Sequence, residues 1–441
     1  MPDLKIRLGV LGAFLLAILI GGYFYLTSGG ATLPETAEIG PTPQITEPDM
    51  RLVPSFKVPK AVGWADGAAP TAAPGLKVKA FAAGLDHPRW MLVLPNGDVL
   101  VAETAAPPRK GGGIRGWIES WMMSRAGANV PSANRITLLR DSDGDGVADQ
   151  RSVLLSGLNS PFGMALVGGQ LYVADNDALL RFPFTPGQTH IAAKPVKVLR
   201  LPAGGRHWTR NVVASADGSK LYVAVGSSTN VGEDGIDAEQ NRAAVLEVDP
   251  KTGDYRIFSG GMRNPVGMAW EPATKQLWTV VNERDEMGGD LVPDYLTSVQ
   301  FGGFYGWPYY YWGGYTDHRA PEPERDLRQY TARPDYALGA HVSALGLSFA
   351  QGEKLGPQYA DGAFVGLHGS WNRRPLSGYK VIFVPFEKGQ PIGMPKDVLT
   401  GFLNKDEQAQ GRPVGVAIDR QGALLVADDV GNRIWRVTAQ R

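Results

Sequence analysis

The chain of 441 residues contains no cysteine. That excludes disulfides, thiolate metal ligands, a cysteine nucleophile and an N-terminal lipid-modified cysteine. It also lacks a net charge, because 44 Lys and Arg residues balance 44 Asp and Glu residues. A broad electrostatic footprint for nucleic acid is therefore missing. What the chain has in abundance is glycine (56) and proline (33), with Val, Tyr and Trp recurring near turn residues. This pattern favours many short strands joined by tight turns over a helical protein.

Lys5 and Arg7 precede an uncharged run, Leu8 to Leu26. Nineteen residues in a helix reach about 28 Å, close to the hydrocarbon thickness of a bilayer. The positive flank is expected to stay cytoplasmic and send the remainder across. The reading is a single-pass anchor in the cell inner membrane with the body facing the periplasm. A cleaved signal peptide is the competing reading and leads to the same compartment. Between residues 31 and 74, Pro34, Pro41, Pro43, Pro48, Pro54, Pro59, Pro70 and Pro74 interrupt any helix or central strand. That segment reads as an extended Pro-rich linker, docking onto the domain near Phe56 to Trp64. The division is thus anchor 1–30, linker 31–74 and main domain 75–441.

Within the main domain two signatures alternate. The first is an apolar strand entered through a polar or proline corner: His87-Pro88-Arg89-Trp90, Ser160-Pro161-Phe162-Gly163, Arg210-Asn211-Val212, Asn264-Pro265-Val266-Gly267, Ser343-Ala344-Leu345-Gly346 and Arg412-Pro413-Val414-Gly415. The second is a turn followed by a β-rich run, as in Gly97 to Glu103, Gly169 to Asp175 and Gly422 to Ala427. Six strand–turn–strand units predict an all-β protein, a six-bladed β-propeller.

In a propeller the innermost strands line a channel, so the six corners converge at its mouth. They carry His87 and Arg89, Asn159 and Ser160, His207, Arg210 and Asn211, Arg263 and Asn264, His341 and Ser343, and Arg412. Several arginines around one point in a neutral protein suit a small polyanionic planar ligand, since guanidinium pairs bidentately with carboxylates and stacks on rings. Blade-to-blade salt bridges are the alternative use. His207 beside two arginines and an asparagine is the candidate general base.

Other clusters lie off the corners. Asn282-Glu283-Arg284-Asp285-Glu286-Met287-Gly288-Gly289-Asp290 places five charges on a glycine-containing loop, either solvated or folded over the channel with oxygens for Ca²⁺. Gly302 to Trp312 is dense in aromatics, suited to stacking on a sugar or planar cofactor, or to plugging one face. Asp141, Asp143 and Asp145 occupy positions 1, 3 and 5 of an EF-hand-type loop, with Gly146 at position 6 and Asp149 beyond. Ser152 stands where the bidentate glutamate would be, so the expectation is a shortened, structural Ca²⁺ loop or an acidic turn. Trp117, Ile118, Trp121 and Met122 recur at helical spacing. That predicts a short amphipathic helix, resting on a bilayer or, as favoured here, packed on the propeller's own surface.

The motifs His207-x-x-Arg210-Asn211, Met262-Arg263-Asn264-Pro265-x-Gly267, Tyr305-Gly306-Trp307-Pro308, His368-Gly369-Ser370-Trp371-Asn372-Arg373 and Arg412-Pro413-x-Gly415 resemble those of the soluble PQQ (pyrroloquinoline quinone)-dependent sugar dehydrogenases, most closely the sorbosone dehydrogenase branch. The resemblance implies PQQ across the channel mouth and a Ca²⁺ held near Arg284, Asp285 and Glu286. His207 would be the catalytic base, and Arg210, Asn211, Arg263, Asn264, Tyr305 and Trp371 would surround the cofactor. Arg373 and Arg412 would neutralise its carboxylates. The implied activity is oxidation of a sugar, aldose or sugar-derived alcohol or aldehyde, with electrons passed to a quinone or cytochrome. A Ca²⁺-dependent lactonase-type propeller and a non-catalytic carbohydrate- or protein-binding propeller are the competing classes.

Overall fold

The computed structural model describes residues 11–12, 14–22, 30–51, 56–108, 113–323 and 325–440. Six antiparallel sheets, each built on a core of four strands, are arranged in a ring; within most blades the strands pair in chain order. Blade one comprises Pro88–Val93, Val99–Glu103, Arg135–Arg140 and Gln150–Leu155. The innermost strands of the other five are Met164–Val167, Arg210–Ala214, Asn264–Trp270, Ala344–Phe349 and Pro413–Ile418. Each innermost strand packs beside that of the next blade, and the sixth returns to the first. Leu76–Ala83 closes the ring as the outer strand of blade six, pairing Arg433–Ala439. The six predicted blades are therefore the six observed ones.

The recurring glycine of the corner signature has a steric cause. A Cβ on Gly163 would lie 2.4 Å from the Val212 nitrogen, and one on Gly346 would lie 2.1 Å from the Val414 carbonyl oxygen. Inner strands of adjacent blades approach too closely there for any side chain. The cores lie between blade faces. Trp278, Leu296, Val365 and Ile382 join blades four and five, and Phe364, Val426 and Trp435 join five and six. Full burial of one such large apolar side chain contributes about 1.5–3 kcal/mol.

The described residues between 31 and 74 (31–51 and 56–74) are laid on the propeller instead of spanning a gap. Ile39–Gly40 adds a fifth strand to blade four, and Thr71–Ala72 extends blade five. Trp64 packs edge-on against Phe402 and Trp435, and its indole donates to Asp428 at 2.6 Å. The expected anchor, Leu8–Leu26, lies partly outside the described residues. Residues 11–12 and 14–22 are helical and exposed. No helix among the described residues is long and apolar enough to cross a membrane, so the transmembrane helix finds no support there.

Two insertions in blade one complete the picture. Helix Gly113–Arg125 forms where the spacing predicts, but Trp117 and Trp121 are 70% and 49% exposed, so their expected packing on the propeller does not occur. The hairpin joining the blade's third and fourth strands carries Asp141, Asp143 and Asp149, whose oxygens lie within 4.8 Å of one another. Asp145 is outside that group; its carboxylate accepts from the Val147 amide at 2.7 Å.

Candidate active site

One mouth of the channel opens into a cavity of about 210 Å³. Its walls come from four of the six blades. Arg89 is contributed by blade one; Arg206, His207, Trp208 and Thr209 precede the inner strand of blade three. Arg263, Asn264, Asn282, Glu283, Asp285 and Asp294 belong to blade four, with His341, Ser343, His368, Trp371 and Asn372 from around blade five.

His207 is half-buried, and its Nδ1 lies 2.9 Å from the Ser227 carbonyl and 3.0 Å from Ser227 Oγ. That hydroxyl donates to the Thr229 carbonyl at 2.7 Å, so towards His207 it offers a lone pair. Both neighbours of Nδ1 are acceptors. The proton of the neutral ring is therefore held on Nδ1, and the basic lone pair belongs to Nε2. The ring is further confined by Gly226, where a Cβ would lie 2.6 Å from His207 Cβ and 2.3 Å from Asn264 Oδ1.

Two carboxylates organise the other walls, Asp429 buried and Asp285 half-buried. Asp285 receives Arg263 Nη2 at 3.0 Å and Asn372 Nδ2 at 2.8 Å, with His341 Nδ1 at 3.6 Å. Burial disfavours its charge, but Arg263 and His341 outweigh that and hold Asp285 well below the usual carboxylate range. Burial likewise works against the His341 cation, yet Asp285 raises it above an ordinary imidazole. Its Nε2 donates to the Gly288 carbonyl at 2.9 Å. Asp429, which follows the second strand of blade six, is shared by Arg89 and His87 from blade one and His368 from blade five. Burial, and then Arg412, push His368 down to about 3, so this ring is neutral and donates Nε2–H to Asp429 at 2.8 Å. Asp294, buried in the cavity wall, is raised by desolvation to about 7.

The predicted site residues divide into two groups. His207, Arg263, Asn264, Trp371 and Asp285 line the cavity. The others act one layer back or elsewhere. Arg210 turns inward to the carbonyls of Pro202 (2.6 Å), His207 (2.9 Å) and Thr209 (2.8 Å), and burial with Arg242 lowers it to about 9. It shapes the loop that carries His207. Asn211 Nδ2 donates to the Val266 carbonyl at 2.8 Å, stapling blades three and four. Arg284 is enclosed by Glu283, Asp317 and the carbonyls of Pro308 and Tyr310. Tyr305 is buried and stacks on Tyr295.

Arg373 pairs with Glu38 at 2.7 Å, and Arg412 donates to the carbonyls of His368 and Gly369. These arginines meet protein acceptors, mostly backbone carbonyls, and not the blade-to-blade salt bridges that stood as the alternative. Asp285 and Glu286 join no metal-capable group among the described residues; Asp285 is engaged by cations and amides, and so the cavity carboxylates do not converge on an ion. Asp141, Asp143, Asp145 and Asp149 stand on the blade-one hairpin, outside the cavity lining. Sequence reasoning did not commit to Arg89, His341, His368, Asn372 and Asp429. The first two stood in the corner pattern and the next two in the His368–Arg373 motif, while Asp429 had only its place after an apolar strand.

The lining fits a planar polyanion such as PQQ. Arg89, Arg206 and Arg263 supply positive charge, and Trp208 and Trp371 supply flat walls. Asn264 and Asn372 each retain a buried Oδ1 with no hydrogen-bond partner, an arrangement left for a ligand donor to complete.

A family model described as TrAA12-like matches residues 129–293 and 321–440. An uncharacterized protein of Borreliella burgdorferi is 30% identical over 239 residues, which is 52% of this chain and 60% of that protein. The pyrroloquinoline quinone-dependent pyranose dehydrogenase of Coprinopsis cinerea is 25% identical over 290 residues, covering 52% of this chain and 39% of the relative. The holo form of its PQQ domain superposes with a TM-score of 0.67 at 18% identity, over 86% of this chain and 99% of that one. A calcium structure of the Trichoderma reesei family AA12 enzyme gives 0.69 at 20% identity, over 84% and 97%. The chain thus spans less than two thirds of the length of these sequence relatives, and the structural likeness establishes the shared propeller.

Proposed function

The chain belongs to the TrAA12-like family, and from that premise we propose that it is a PQQ-dependent oxidoreductase acting on a sugar or a sugar-derived alcohol or aldehyde, L-sorbosone among the candidates. The observation that carries this reading is the tautomer-locked His207 at a cavity whose lining suits a polyanion. The PQQ dependence of the Coprinopsis cinerea relative supports the cofactor.

PQQ, when bound, supplies the two-electron oxidant. This chain's residues would do the rest. Arg89, Arg206 and Arg263 would hold its carboxylates, with the Asn264 and Asn372 amides at its polar edge and Trp371 over its face. His207 Nε2 would take the substrate hydroxyl proton, while Nδ1–H stays on Ser227 and keeps the ring aimed. Asp285 would fix the positions of Arg263, His341 and Asn372. Calcium enters this reading as a structural ion at Asp141, Asp143 and Asp149, outside the cavity. Electron transfer to a quinone or cytochrome outside the cytoplasm completes it. A lactonase-type hydrolase needs oxygen ligands converging on a central ion, which the cavity carboxylates do not provide.

The test is a titration of the purified protein with PQQ, followed by absorbance, and then dye reduction with a panel of aldoses. Saturable binding at micromolar PQQ and sugar-dependent dye reduction are expected; absence of binding refutes the reading. His207→Ala should keep PQQ binding and lose at least roughly 10²-fold in dye reduction. Unchanged turnover would make His207 structural.

A further inference from the structure

Helix Gly113–Arg125 shows its apolar side to solvent. Trp117, Ile118 and Trp121, at i, i+1 and i+4, share one face and are 70%, 40% and 49% exposed. The helix is nevertheless fastened. Arg125 Nε donates to the Val58 carbonyl at 2.8 Å, and the Ala61 amide donates to the Arg125 carbonyl at 2.8 Å. An apolar face held in place but left uncovered needs an occupant.

The neighbouring chain indicates which one. Next to Val58, the Lys57 amide donates to the carbonyl of Trp371, a cavity-lining residue, at 2.8 Å. Arg374 Nη2 reaches the Phe56 carbonyl at 3.1 Å, and the Arg374 carbonyl accepts the Ala31 amide at 2.7 Å. The chain therefore enters the propeller beside the cavity mouth and beside the anchorage of the Trp helix. Immediately upstream is the Leu8–Leu26 run, long enough in sequence to span a bilayer. Its described part is also uncovered, with Phe14 and Leu19 64% and 69% exposed. A lipid surface would cover both elements at once, whereas a second copy on the helix would leave the run unburied. Tryptophan is the side chain suited to the boundary between headgroups and acyl chains, with an apolar body and a polar N–H.

We propose that the Trp117–Ile118–Trp121 face is a bilayer-docking surface that seats the chain on a phospholipid membrane, with the cavity mouth at Trp371 near the lipid. This is independent of the redox reading. The chain's lack of cysteine makes the experiment direct. A single thiol is introduced as Ile118→Cys or, as a control on the outer strand Tyr255–Gly260 of blade three, as Ile257→Cys, a site 50% exposed.

Each full-length variant carries a nitroxide and is reconstituted into phosphatidylcholine–phosphatidylglycerol vesicles. Power saturation is then compared with oxygen and with a water-soluble nickel complex. The label at 118 should favour collisions with oxygen, and the label at 257 collisions with nickel. Equal, water-like behaviour at both positions would overturn the proposal, as would a chain that fails to float with the vesicles. Dipolar broadening between labels at 118 would place a second copy there and overturn it too.

Discussion

Gly226 offers the sharpest test of how tightly the cavity is built. It follows the second strand of blade three, Leu221–Val225, and its backbone is not in the left-handed region, so replacing it by alanine adds no conformational strain. The added Cβ would stand 2.3 Å from Asn264 Oδ1 and 2.6 Å from His207 Cβ. Ordinary carbon contacts are near 3.5–4.0 Å, so one or both side chains must retreat by about 1 Å. Overpacking of this kind costs about 1–3 kcal/mol of stability, which a propeller with extensive inter-blade cores should survive. A displacement near 1 Å at a reacting group can lower turnover roughly 10²-fold.

Gly226→Ala should therefore fold, with a modestly lower urea midpoint, and lose roughly 10²-fold in dye reduction. The control is Gly260→Ala, also outside the left-handed region, where the nearest atom, Ile257 Cγ2, is 3.8 Å away; it should retain full activity. A Gly226→Ala protein with wild-type turnover would show that the positions of His207 and Asn264 do not limit the reaction.

Two further outcomes test the buried charge networks. Asp429→Asn leaves the Arg89 cation facing a neutral amide, and both side chains are nearly fully buried; stability in urea should fall by about 3–5 kcal/mol, and an unchanged midpoint would refute the shared-carboxylate role. Glu38 is raised by desolvation from 4.5 to about 7, with Arg373 opposing. A carboxyl held above its unfolded value binds protons more tightly when folded, so its contribution is complete below 4.5 and is lost as pH rises through about 7. Glu38→Gln should flatten the decline of thermal midpoint between those pH values, and an identical profile would refute the assignment.

How far the site was readable depends on which link each residue occupies. The corner pattern located His207, Arg263 and Asn264 because an inner strand must begin at the channel mouth, and chain connectivity carries that information. It could not tell that Arg210 turns inward to three carbonyls, since its direction depends on the path of the preceding loop. The six repeats of one signature likewise defined an all-β ring, and the close-approach glycines at 163 and 346 were already in it.

Partnerships between distant residues were decided only by the tertiary structure. Glu38 meets Arg373 across 335 positions, and Arg89 meets Asp429 across 340. Local sequence carries no signal at such separations, because the partner is selected by ring closure and by the laying of residues 31–51 on blades four and five. The period of strands and turns is a local property, written into every repeat. The pairing of buried charges is a property of the closed ring, in which burial makes an unpaired charge so costly that each arginine takes the nearest protein acceptor.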